Sequence, residues 1–557
     1  MSSTGRTTLF ARSYTSRSGR KEKKVKKMKK IFLIFVLLSF WVAGGYACSG
    51  DDPVQGGKEE VDPTPDPDPD PDPDPSGPKE YYVAVDGKGS GSLADPFGSI
   101  NAALAVTRPG DVVYVRGGVY SEAVRFTHSG TADAPIVLKA YRDETPVISG
   151  EGMTWASGPH QLVLISGVDH VTVEGFEVTG LETDDGRLEA NGITVSAGAT
   201  NITLRNNHVH HIRNTAPQGE NIWPGAHGIL IIGNTDKAVR NVTVDGNRIH
   251  DCETGFSETL TINGFVDGFT ISNNTIYHCS NIAIDAAGGY AANPDPTRNY
   301  ARNGVICGNV LYGIENSRGE LLDGGFGAIA IYADGSRNIT IERNRIFGCD
   351  RGIGVVSETD DYPTTDCYVR NNVVYDCWRT GIYMGGYLNY TTGGSENCYI
   401  VNNTLYANNR MEGAFGEIEG EIRLTENCRK ITVANNLVCT SRAEDLFVHK
   451  YTATGSDNVF ENNYYCGPGA WMWEQQDSNP ITDFAAWQAT SGGDAEGGYD
   501  AVPFFDFEPT PDADFSIGDA PALKNRGKAL PTYFVGTVDF AGNPRTEEGK
   551  VSIGAFQ

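Results

Sequence analysis

What the chain lacks narrows its class first. Lysine and arginine number 45 against 71 aspartates and glutamates, a net charge of −26 over 557 residues. A surface so short of positive charge cannot hold nucleic acid or other polyanions through broad electrostatics, and it leans away from sulfated or polyuronate glycans unless bound calcium offsets it locally. Only 21% of residues are charged, while glycine reaches 67, the composition of a turn-rich all-β protein. No Cys/His metal box is present. The apolar stretch 31–47 (IFLIFVLLSFWVAGGYA) stops at Cys48 and is too short to favour a membrane-spanning helix.

That stretch follows eleven lysines or arginines in residues 1–30, so residues 1–47 have the n-region and h-region of a secretory signal, with Met28 a candidate true start. GYAC is similar to a bacterial lipoprotein cleavage box, which makes Cys48 the expected lipidated residue. Residues 48–79 then run through DPTPDPDPDPDPDPS. Alternating Asp-Pro forms neither helix nor sheet, so this is an extended acidic tether. The expected product is an exported, outer-membrane or cell-surface lipoprotein whose membrane contact is confined to its anchor, otherwise periplasmic or secreted. Removing the signal leaves a net charge of about −36.

The remainder, 80–557, is repetitive. An asparagine ladder reads Asn207, Asn247, Asn274, Asn309, Asn344, Asn372, Asn403, Asn436 and Asn463. Two residues after each stands an apolar residue, and three after most stands His210, His250, Tyr277, Tyr312, Phe347, Tyr375 or Tyr406. Period-two alternation around a fixed turn residue means strands, and strands recurring at a long period mean a solenoid. Each coil buries its apolar row by stacking on the next, and the asparagines bond along the axis. Cys252/Cys279, Cys349/Cys377 and Cys367/Cys398 recur at equal positions and read as small buried thiols.

This pattern resembles the right-handed parallel β-helix of pectate-lyase-like carbohydrate-active proteins, and the right-handedness is implied by that resemblance. The fold class is therefore all-β, a single-stranded solenoid with an N-terminal helical cap over 100–107. The stretch from Asp514 onward is similar to the closing coil of such proteins. One elongated, monomeric domain is expected.

A further strand per coil begins with an apolar pair, such as Ile284 after Ile282, Ile331 after Ile329 and Val355 after Ile353, and is flanked by long insertions. Long loops rimming one face of a rigid solenoid make a cleft suited to a polysaccharide or oligosaccharide. Counting from those pairs gives Asp334 and Glu358 the same repeat position, about one coil or roughly 5 Å apart, the spacing of a retaining glycosidase pair. Asp334 is the candidate nucleophile and Glu358 the candidate acid/base, with Asp285 shaping the site. His227 and Glu258 occupy matching positions at the cleft mouth. Tyr332, Tyr383, Tyr387, Arg423 and Glu421 complete the candidate substrate-binding set, alongside Trp223 and His449.

Glycoside hydrolysis without a required cofactor is the leading expectation. The alternatives are a calcium-assisted polysaccharide lyase, in which Asp285, Asp334 and Glu358 hold Ca2+, and a tethered glycan-binding protein without catalysis.

Overall fold

The computed structural model describes residues 77–557 apart from 156–157, 220–221, 323–324, 389, 412–418, 475–479, 506 and 508–509. The signal, Cys48 and most of the tether lie outside the described residues. One compact unit spans Glu80–Gln557.

Three long sheets of 16, 12 and 13 strands build this unit, and each draws one strand from nearly every coil. Sheet neighbours are thus a full coil apart in sequence, and the pairings along the 12-stranded sheet are parallel throughout. This is a parallel β-helix. Its core is a filled column of Val, Ile, Leu and Cys side chains, with Cys252, Cys279, Cys349, Cys367, Cys377 and Cys398 buried as free thiols.

The asparagine ladder is unbroken. Each Nδ2 donates to the Oδ1 of the next coil, from Asn207 to Asn247 (3.0 Å) through to Asn436 to Asn463 (2.9 Å), and Asn463 hands the chain of bonds to Asp494 (2.8 Å). The residue before each rung turns left-handed, with φ of 54° at Arg343 and 54° at Asn371, so the side chain that follows can turn in and bond the exposed main chain of the corner. Outside that corner the rings three residues on stack coil upon coil: His210 on His250 (5.1 Å), Tyr277 (4.6 Å), Tyr312 (4.8 Å), Phe347 (5.1 Å) and Tyr375 (5.2 Å).

Both ends of the column are covered. The first helix, Ile100–Leu104, is capped by the Ser99 hydroxyl and buries Ile100, Ala103 and Leu104. It stops short of the expected 107 as the chain approaches Pro109 and Gly110. At the far end helix Phe484–Ser491 packs Trp487 against Trp471 (6.0 Å) and Phe460 (5.4 Å). The expected C-terminal closing coil is corrected here. Residues 514–557 add no strand to the three sheets among the described residues. They run back along the outside, where Phe505, Phe515, Leu523 and Ile553 bury the end of the ring stack with Tyr375, Tyr406, Cys439 and Cys466. Those last two cysteines form a disulfide, which the ladder predicts only in hindsight. Both sit three residues after a rung, where neighbouring coils carry aromatics.

Candidate active site

The 12-stranded sheet carries the cleft. Its register places Thr261, Asp285, Tyr332, Gly354, Tyr383, Arg423 and His449 in one row across successive coils. One row further on, Asn263, Ala287, Asp334 and Val356 are aligned. Asp334 therefore pairs with Val356, and Glu358 lies two residues beyond it, past the strand end at Ser357. The equal repeat positions expected for Asp334 and Glu358 are corrected by this register. The cause is which apolar residues point inward. Ile284, Ala286, Ile331 and Ala333 fill the core, whereas Ile282 and Ile329 form an apolar patch with Tyr332, Val356 and Tyr383. Two small alanines take core positions where larger residues stand in other coils.

Asp334 and Glu358 nevertheless meet. The Glu358 main-chain N–H donates to Asp334 Oδ1 (2.7 Å). The Tyr290 hydroxyl bonds Asp334 Oδ2 and lies 3.4 Å from Glu358 Oε2. Glu358 Oε1 accepts from Tyr387 (2.8 Å) and Tyr332 (3.2 Å), while the Tyr390 hydroxyl bonds the Glu358 carbonyl. Two carboxylates are thus held by three phenols, with a fourth on the Glu358 main chain. Burial, then the charges of Asp334 and Glu358, push the Tyr290 hydroxyl well above its ordinary value, so it remains a proton donor.

Asp285 is 3% exposed, and its Oδ1 has no hydrogen-bond partner among the described residues. Burial, reinforced by Glu258, Asp334 and Glu358, pushes its carboxyl well above the usual range. Burial also raises Glu258, and the Glu358 charge adds to this against the lowering effect of His227. His227 Nδ1 contacts Thr261 Oγ1 (2.7 Å) and the Glu258 carbonyl (3.0 Å), with the Glu258 carboxylate at 3.9 Å.

Other expected residues separate from this group. Glu421 is fully buried and bonds the main-chain and side-chain nitrogens of Asn408 (2.7 Å each). Its expected place on the cleft rim is corrected: it holds a corner, and burial pushes it up to about 8. Arg423 is buried, with its guanidinium 4.1 Å from the centre of the Tyr451 ring, and His449 beside it is pulled down to about 2 by burial and by Arg423. Trp223 packs edge-on against Phe256, away from the carboxylates.

Sequence reasoning missed Tyr290 and Tyr390. The two tyrosines sit in insertions, 286–302 and 386–396, that the sequence marks as cleft loops without fixing their path. Asp360 fixes one of them. Its Oδ1 accepts the main-chain N–H of Thr391 (2.7 Å), Thr392 (2.7 Å) and Gly393 (2.8 Å), bonds that outweigh burial and hold its carboxyl below the usual range.

Gly354 leaves room for the phenols. A Cβ there would lie 2.6 Å from the Tyr332 ring and 2.7 Å from that of Tyr383. Gly354→Ala is therefore expected to destabilise the domain by about 1–3 kcal/mol, as overpacking does. Chemical denaturation checks it, and an unchanged midpoint would mean that the rings move aside without strain.

Comparison with known proteins follows this geometry. Residues 81–257 match the family model described as "Pel9A-like, right handed beta helix region", and residues 293–483 match "Periplasmic copper-binding protein (NosD)". The uncharacterized protein YwoF of Bacillus subtilis (strain 168) is 29% identical over 447 residues, covering 79% of this chain and 91% of that protein. The complex of XylC with xylose is 15% identical with a TM-score of 0.41, covering 70% of this chain and 76% of that one. Pectate lyase Pel9A is 14% identical with a TM-score of 0.41, covering 86% and 97%. The chain is a right-handed parallel β-helix of the pectate-lyase-like kind, as the sequence resemblance implied.

Proposed function

We propose that the protein is an exported carbohydrate-active enzyme, and specifically a retaining glycoside hydrolase that uses Asp334 and Glu358. The carrying observation is the single hydroxyl of Tyr290 that reaches both carboxylates. Oxygens joined through one hydroxyl are closer than the roughly 6.5–9.5 Å that an inverting pair needs to admit a water. Export is supported by the signal-like residues 1–47 and by the match to a periplasmic family.

In the first step the Asp334 carboxylate attacks the anomeric carbon as protonated Glu358 gives its proton to the glycosidic oxygen. The C–O bond breaks, an alcohol leaves and a glycosyl ester of Asp334 remains. In the second step the Glu358 carboxylate takes a proton from water, whose oxygen attacks the same carbon and releases Asp334. Hydrogen bonds to both Asp334 oxygens favour its anion, as a nucleophile requires. Tyr332 and Tyr387 fix the Glu358 rotamer, and Asp285, whose anion burial disfavours, stands in register with Tyr332 one coil away.

The Pel9A-like match favours a second reading, calcium-assisted β-elimination. Asp285, Asp334 and Glu358 offer carboxylate oxygens of the kind Ca2+ takes. Against it, both Asp334 oxygens already accept hydrogen bonds and burial disfavours the Asp285 anion. One experiment separates the readings. The protein is incubated with neutral and uronate-containing glycans, with calcium or chelator, and followed for reducing ends and for ultraviolet absorbance of unsaturated uronates. Reducing ends without absorbance are expected, with the anomeric configuration retained by NMR. Absorbance that needs calcium would replace the hydrolase by the lyase, and binding without either product would leave a tethered glycan-binding protein.

A further inference from the structure

Away from the cleft, at the N-terminal end of the external ring stack, imidazoles gather on the 13-stranded sheet. Glu177, His208 and His210 are the group among the described residues whose metal-binding atoms all lie within 4.8 Å of one another. His208 is in register with Glu177 on one side and Arg248 on the other, and His210 with His250, so three adjacent coils contribute. His210 Nε2 lies 3.2 Å from Glu177 Oε1, and His208 Nε2 lies 2.6 Å from His250 Nε2.

We propose that Glu177, His208 and His210 bind a divalent first-row transition ion, Zn2+ or Cu2+, with His250 as the fourth ligand. Imidazole and carboxylate are the ligand set these ions take. Two features show the rings to be oriented from behind. The Asp251 carboxylate holds His250 Nδ1 (2.7 Å), which leaves the Nε2 of that ring with the lone pair, and His210 Nδ1 is placed by the Thr179 hydroxyl (3.1 Å) and by His211 Nδ1 (2.5 Å). Carboxylate–histidine pairs of this kind set ligand tautomer in metal sites. Tetrahedral coordination at about 2.0–2.1 Å per bond would open the His208–His250 pair by roughly 0.7 Å, within reach of small ring rotations. A polar cavity of about 380 Å³, lined by Arg213, Asp251 and His278 among others, gives solvent a path to the back of the cluster.

The sequence holds the signal only in part, since His210 and His250 occupy the same place after Asn207 and Asn247 while Glu177 joins from the preceding coil. The copper-binding family model matches 293–483, which contains none of these side chains, so the inference rests on the cluster alone. Such an ion would clip three coils together across their outer face.

The test uses the full chain, stripped with chelator, exposed to Zn2+, Cu2+ or Ca2+ at pH 7, desalted, and assayed by elemental mass spectrometry. One Zn2+ or Cu2+ per chain and no Ca2+ is expected, with nitrogen coupling in the Cu2+ EPR spectrum. His208→Ala with His210→Ala should abolish retention, Asp251→Asn should weaken it roughly tenfold, and His278→Ala should leave it intact. An unretained ion in the parent chain, full retention in the double variant, or a copper spectrum without nitrogen ligands would overturn the site. The parent spectrum decides even where the double variant fails to fold.

Discussion

Asp334→Asn is expected to lower kcat/KM on the true substrate by roughly 10⁴-fold while leaving the melting temperature within a few degrees, because the amide keeps the shape and removes the nucleophilic charge. Glu358→Gln should cost about 10²–10⁴-fold. The two losses differ in kind. Substrates with an activated leaving group, which need no proton from the enzyme, should recover most of the first-step rate in Glu358→Gln and none in Asp334→Asn. Azide added to Glu358→Ala should give a glycosyl azide of retained configuration, since a small anion attacks the Asp334 ester without needing a base. An Asp334→Asn enzyme with wild-type rates would remove the nucleophile from the reading. A large loss in Asp285→Asn with none in Glu358→Gln would transfer the acid role to Asp285, whose carboxyl burial pushes well above its ordinary value. Tyr290→Phe distinguishes positioning from chemistry: it should slow the reaction and shift the acidic limb of the pH profile upward, because Asp334 loses a donor that favours its anion.

How much of this was legible depended on which residues carry the information locally. The asparagine rung has one solution, because its amide must bond the next coil's corner, so nine spaced asparagines fixed both the fold and its register in the 13-stranded sheet. The 12-stranded sheet has no such marker. Its inward row includes Ala286 and Ala333, which do not look like core, while Ile282 and Ile329 look like core and pack outside the column with Tyr332, Val356 and Tyr383. Counting from the isoleucines slid two coils by two residues and gave Glu358 a false partner position. The acids still met because the chain after Ser357 turns and lays the Glu358 N–H on Asp334. Tyr290 and Tyr390 come from loops whose path is set by contacts such as the Asp360 clamp, which no local pattern encodes. Glu421 misled for a related reason: beside an inward isoleucine it reads as outward, yet it bonds Asn408 at a corner.

The rung itself is the place where one small change should do most damage to the fold. Asn344 donates to Asn372 Oδ1 (3.0 Å) and to the Ile306 carbonyl (3.0 Å), and its Oδ1 accepts from both the main-chain N–H (3.0 Å) and side-chain amide (2.9 Å) of Asn309. All four partners are buried, so Asn344→Ala strands the Asn309 main-chain N–H and leaves the Ile306 carbonyl, the Asn309 amide and Asn372 Oδ1 each one bond short, the last two keeping the Ile271 carbonyl and the residue 344 N–H. Each unmet group costs about 1–3 kcal/mol, and partial relaxation brings the expected loss to about 3–5 kcal/mol. Asn344→Asp should be no better, since an acceptor then faces the Asn372 oxygen and the Ile306 carbonyl. Position matters as much as size. In a solenoid each coil is coupled only to its neighbours, so a weak interface mid-column divides the cooperative unit. Denaturation of Asn344→Ala should therefore show a shallower or split transition, and hydrogen exchange should rise first in the coils on either side of the missing rung. A single steep transition at the parent midpoint would mean that parallel sheet pairing and the apolar column hold the coils together without help from the ladder.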